Sequence, residues 1–137
     1  MKNFYLITLF MCLSNLQAWA TGSSEKAVYD LIERVTPGYA SQYRLEIIPS
    51  ENGNDVYEVD GDGQKIILRG NNAVSLATAF NWYLKYTCHA HVSWFGNQLE
   101  LPEKLPQPAH KERRIINGKY RVYMNYCTVS YTAAWWI

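Results

Sequence analysis

Residues 56–85 read VYEVDGDGQKIILRGNNAVSLATAFNWYLK. Two β-rich runs, Val56-Tyr57-Glu58-Val59 and Lys65-Ile66-Ile67-Leu68-Arg69, flank the tight connection Asp60-Gly61-Asp62-Gly63, which predicts a β-hairpin. Gly70-Asn71-Asn72 breaks the second run and supplies a capping side chain. Beyond it Ala73, Leu76, Ala77, Phe80, Leu84 and Cys88 recur on one face of a helix. Strand, short turn and long helix predict a layer of helix buried against one side of a sheet. The DGDG stretch has carboxylates, but a calcium loop needs further ligands at set spacing and a distal Glu, so a hairpin turn is the preferred reading.

Upstream, Ser23-Ser24-Glu25 places a hydroxyl cap and an acid at the start of a helix carrying Ala27, Val28, Leu31, Ile32 and Val35. Thr36-Pro37-Gly38 ends it. Tyr43-Arg44-Leu45-Glu46-Ile47 alternates apolar and charged residues, as a half-buried strand does, and Ser50–Asn54 is a turn. Downstream, His89–Phe95 reads as a short strand. Cys88, His89 and His91 are metal-ligand types, but a strand would put Cys88 opposite the two histidines, and no metal is expected. Leu99–Glu112 holds three of the five prolines and reads as an extended, solvated linker. The expected architecture is a small two-layer α/β (α+β) domain over residues 21–100, ordered helix-strand-hairpin-helix-strand. A proline-rich linker at 101–112 follows, and the β-rich, aromatic stretch 113–137 begins something new.

Residues 1–20 stand apart from the fold. Lys2 gives a positive start, Phe4–Leu13 an apolar run too short to span a bilayer, and Ala18-Trp19-Ala20 a cleavage signal. An exported protein is expected, secreted, periplasmic or lysosomal according to the organism, with no membrane span after cleavage. Cys88 and Cys127 could pair in an oxidising compartment, but two cysteines make no disulfide framework. With 13 Lys+Arg against 12 Asp+Glu, the charge balance gives no case for nucleic acid. The 15% aromatic content suits sugar binding and core filling alike.

Hydrolysis usually requires paired carboxylates, an activated nucleophile or a metal. From Arg113 onward there is no Asp or Glu, and the remaining acids fall mostly in turns and on helix faces. No catalytic residue, metal site or cofactor is therefore assigned. The stretches GNNAVSLATAFNWYLK (Gly70–Lys85), CHAHVSWFGNQLELP (Cys88–Pro102) and YMNYCTVSYTAAWW (Tyr123–Trp136) resemble the N-terminal part of glycoside hydrolase family 89, the α-N-acetylglucosaminidases. The third, with Asn-x-Cys-Thr-x-Ser-Tyr before a Trp pair, is the most specific.

The resemblance implies a small αβ accessory domain followed by the first strand of a (β/α)8 barrel that is cut short within this chain. The barrel's pocket would lie at the strand ends. It implies that Asn125, Cys127 and Tyr131 line the pocket for a terminal N-acetylglucosamine: Asn125 by hydrogen bonds, Cys127 by close contact, and Tyr131 by hydrogen bonding or packing. The alternative for Asn125 and Cys127 is a polar pair in a barrel core. Trp135 and Trp136 would pack between barrel and helices. Retaining hydrolysis needs two carboxyls about 5–5.5 Å apart, and the family's two glutamates have no counterpart here. An N-terminal portion of such an enzyme, inactive alone, is therefore expected, with glycans ending in N-acetylglucosamine as partners only of the whole enzyme. The alternatives are a self-sufficient secreted carbohydrate- or protein-binding module, or a scaffold domain without ligand.

Overall fold

The computed structural model describes residues 24–93 and 95–118. Helix α1 covers 24–35 and stops at Thr36, whose amide and hydroxyl both donate to the Ile32 carbonyl, at 2.7 and 3.0 Å. Gly38 then takes a left-handed φ of 84°, and its amide donates to Glu33 Oε1 at 2.8 Å. A single 3-10 turn, Ala40–Gln42, leads into strand β1, Tyr43–Ile47. Strands β2, Asp55–Gly61, and β3, Ile66–Gly70, form the expected hairpin in antiparallel register, Val59 opposite Leu68. Asp62 Oδ1 accepts the amides of Gln64 and Lys65, so this carboxylate closes the turn.

β3 lies between β2 and β1 and runs parallel to β1. Helix α2, Ala73–Tyr86, begins at Asn72, whose side chain accepts the Ser75 amide at 2.9 Å as an N-cap. Gly70 makes this junction possible. A Cβ there would stand 2.6 Å from the Leu76 backbone nitrogen, so only glycine lets strand and helix approach so closely. The helix ends at Tyr86, short of Cys88, which nonetheless packs against the core.

The side chains of Tyr43, Leu45, Ile66, Leu68, Tyr57 and Val59 share the helix-facing side of the sheet. They pack with Val28, Ile32, Leu76, Ala79, Phe80, Tyr83 and Leu84 from the two helices. Tyr43 stands edge-on to both Phe80 and Tyr83, with ring centroids 5.6 and 5.7 Å away, an arrangement favoured by the ring quadrupoles.

Two expectations are corrected. The short strand after α2 does not join this sheet. His89 adopts φ 54°, and strands β4, His91–Ser93, and β5, Gly96–Gln98, form a separate hairpin whose described side chains are all exposed. The sheet's fourth strand is β6, Glu112–Ile116, antiparallel to β2, which gives the order β1-β3-β2-β6.

Nor is 101–112 a solvated linker. Leu105 is buried in the core, and Leu99 and Leu101 pack against it. Tyr39 Oη donates to the Leu101 carbonyl at 3.1 Å and Tyr83 Oη to the Pro106 carbonyl at 2.8 Å. Gln42 holds the segment from both sides, donating to the Glu103 carbonyl and accepting the Leu105 amide. Prolines lack an amide to leave unpaired, so an extended proline-rich segment can lie across a core with its carbonyls answered by side chains. The αβ unit therefore continues to Ile116 and does not close near residue 100. No helix among the described residues is long and apolar enough to cross a membrane.

Candidate functional site

The side of the sheet away from the helices carries a continuous row of charged side chains. In register across the four strands stand Glu46, Arg69, Glu58 and Arg113, alternating in sign. Arg69 donates from Nε to Glu46 at 2.6 Å and from Nη1 to Asp60 at 3.0 Å. Glu58 is buried and accepts from Arg113 Nη1, with Lys111 Nζ at 2.8 Å. Arg113 reaches on to Glu51 at 2.6 Å, and Arg44 bridges Glu46 and Asp62 at 3.0 and 3.1 Å.

Burial opposes ionisation of Glu58, but the hydrogen bonds from Lys111 and Arg113 outweigh it and hold the carboxyl below the usual range. Asp60 is held low in the same way, against burial, by Arg69 and the Gly61 amide. A glycosidase acid needs the opposite, a carboxyl kept protonated near neutrality. These acids are matched to cations and serve to lock the strands in register.

Other groups of chemical interest are similarly committed. Burial pushes the Cys88 thiol up, away from the reactive thiolate, although a hydrogen bond with Tyr83 opposes this. Burial also drives the Tyr43 and Tyr83 phenols far above their ordinary value. His89 and His91 are exposed, and His89 sits in a left-handed bend rather than on a strand face.

A concave feature lies between α2 and β6. Tyr57, Trp82, Tyr86, Arg114, Ile115 and Ile116 line a groove of about 560 Å³. The Trp82 and Tyr86 rings are 5.0 Å apart, inclined at 38°, and Tyr86 is 56% exposed. The Arg114 guanidinium bonds to Glu112. The sequence reading missed both features. The charged row was signalled by the alternation in Tyr43–Ile47, and the groove by Trp82 and Tyr86 at helical i,i+4 spacing.

The three residues expected to line a sugar pocket, Asn125, Cys127 and Tyr131, lie outside the described residues. So do the expected leader at 1–20, the expected partner of Cys88, and the terminal tryptophans. The described residues therefore do not bring the expected site together.

A family model described as the α-N-acetylglucosaminidase N-terminal domain matches residues 26–107. Human α-N-acetylglucosaminidase is 34% identical over 115 residues, covering 80% of this chain and 16% of the human protein. A family 89 glycoside hydrolase from Clostridium perfringens, solved with 2-acetamido-1,2-dideoxynojirimycin, superposes with a TM-score of 0.79. Its identity is 31%, over 96% of this chain and 15% of its own. The Clostridium perfringens enzyme solved with its substrate GlcNAc-α-1,4-galactose gives a TM-score of 0.73 and 30% identity, over 84% of this chain and 13% of its own. The chain thus spans about one-sixth of the human relative's length. Mixed sheet, two helices and matched segment agree: the chain belongs to the α-N-acetylglucosaminidase family, glycoside hydrolase family 89, and its αβ unit is that family's N-terminal domain.

Proposed function

We propose that this chain is the N-terminal portion of an exported enzyme that hydrolyses terminal α-N-acetylglucosaminides with retention, and that it supports catalysis without performing it. The observation that carries this reading is the state of its acids. The two most enclosed carboxylates of the sheet face, Glu58 and Asp60, are ionised partners of Arg113, Lys111 and Arg69, not a poised acid/base pair. The chemistry therefore falls to carboxyls that this chain does not contribute. Beyond the αβ unit, residues 117–137 supply the start of the catalytic barrel. Asn125, Cys127 and Tyr131 contribute one wall of the pocket for the terminal sugar, and residues 1–20 direct export.

A chimaera tests this. Residues 24–137 replace the corresponding segment of the Clostridium perfringens enzyme, which is assayed on an aryl α-N-acetylglucosaminide. Activity should survive. Asn125→Ala in the chimaera should lower kcat/KM by about 10–100-fold, the loss of one buried hydrogen bond to substrate, with unchanged thermal stability. A dead but folded chimaera, or an Asn125→Ala variant as active as its parent, contradicts the proposal.

A further inference from the structure

Strand β6 closes one end of the sheet, and among the described residues it pairs with β2 alone. The β2 backbone alternates between its two neighbours. Val56 turns its amide and carbonyl to Asn71, on the β3 side, so Glu58 and Asp60 turn the same way. Asp55, Tyr57 and Val59 therefore face β6, opposite Ile116, Arg114 and Glu112. The amides and carbonyls of Arg113 and Ile115 point outward along an open edge.

The side chains beside that edge are unevenly committed. Arg113 is held by Glu58 and Glu51. Arg114 stands opposite Tyr57 on the helix-facing side, beside the aromatic groove. Its Nε bonds to Glu112, which leaves Nη1 and Nη2 without a partner among the described residues, on a side chain 61% exposed. Helix α2 adds Lys85, with Nζ 5.4 Å from the Tyr86 ring centroid, and no Asp or Glu. Ile116 faces the same side as Arg114, and Ile115 between them is 39% exposed.

These groups select among occupants. Arginines on an edge strand deter pairing with a like strand. Antiparallel pairing of two β6 strands about Arg113 or Arg114 sets a guanidinium against its own copy, which is destabilising. The same charge favours an acidic strand, whose carboxylate meets the free Nη pair of Arg114 in a charge-assisted bond. We propose that the outer edge of β6 accepts an added β-strand from an acidic partner polypeptide, with Asp or Glu opposite Arg114 and apolar side chains opposite Ile115 and Ile116. Backbone bonds to Arg113 and Ile115 supply the affinity, and Arg114 and the groove supply the selection. The proposal does not rest on the enzymatic reading.

The probes are two acetylated, amidated peptides, Thr-Val-Ile-Glu-Thr-Thr for antiparallel addition and its reverse, Thr-Thr-Glu-Ile-Val-Thr, for parallel addition. Each is titrated into the 137-residue chain, and amide exchange is followed residue by residue by NMR. One of them should bind with a Kd on the order of 0.1–1 mM. At tenfold above that Kd, exchange of the Arg113 and Ile115 amides should slow about tenfold. N-methylation of the peptide's Ile should abolish binding, because that residue lies opposite Ile115 and bonds through its backbone. Arg114→Gln should weaken binding about tenfold. Failure of both peptides to bind at 10 mM overturns the proposal, as does equal binding of the N-methylated peptide, which indicates attraction by charge alone. So does slow exchange of both amides without peptide: the edge is then already filled, by a second copy if the protection rises with protein concentration and by the chain itself if it does not.

Discussion

Glu58 concentrates the electrostatics of the domain in one side chain. It is buried on the sheet face, answered by Arg113 and Lys111 and flanked by Arg69. Its carboxyl is held below its ordinary value, so the unfolded chain binds its proton at a higher pH than the folded one. The stabilisation is complete above the unfolded carboxyl pKa of about 4.3 and is lost as pH falls through the lower folded value. The urea midpoint should therefore be flat from neutrality to about pH 5 and fall steeply below about pH 4. Glu58→Gln should cost about 1–2 kcal/mol at pH 7, discounted because Lys111 and Arg113 are partly exposed. It should also flatten the acid decline, leaving the contributions of Asp60 and Asp62. Parallel acid profiles for parent and variant would remove Glu58 from this role. The sequence shows Glu58 as one polar residue in a β-rich run. Its neighbours across the sheet are supplied by segments 11 and 55 residues away, a pairing that no local pattern reveals.

At the scale of elements, local signals were legible where neighbours in sequence are neighbours in space. The hairpin around Asp60–Gly63, the Asn72 cap, and the apolar faces of α1 and α2 were all readable for that reason. The misreadings arose where distant segments meet. His89–Phe95 has strand-like composition but leaves α2 through a left-handed residue and pairs only with its own return strand, ending with Phe95 fully exposed. Residues 99–111 have linker composition, yet Leu105 enters the core and Gln42 and Tyr39 fasten the segment down. Arg113 reads as the start of a new domain, yet it completes the row begun at Glu46.

These corrections fix where the domain can be cut. A chain ending at residue 110 loses β6 and two of the cations around Glu58, and should melt at least about 5–10 °C below one ending at Gly118, the effect of losing about 1–2 kcal/mol in a domain of this size. Equal melting temperatures would restore the shorter boundary.

For the whole molecule, the structure and the relatives describe a small αβ domain within a chain that spans about one-sixth of the human relative's length. The aromatic, acid-free stretch that follows it carries the residues proposed to face sugar, Asn125, Cys127 and Tyr131. They are proposed on motif resemblance alone, because a pocket wall contributed by one strand would have no periodicity of its own. In the proposed division of labour the domain stabilises and positions, and retaining chemistry, which needs two carboxyls about 5–5.5 Å apart, falls to residues outside it. Its most direct test is the hydrolysis of an aryl α-N-acetylglucosaminide by the purified 137-residue chain, expressed in a host lacking glycosidases of its own. The account predicts release of the aryl group at the rate of the buffer blank, whereas turnover that copurifies with the folded chain and is abolished by a family 89 inhibitor would contradict it.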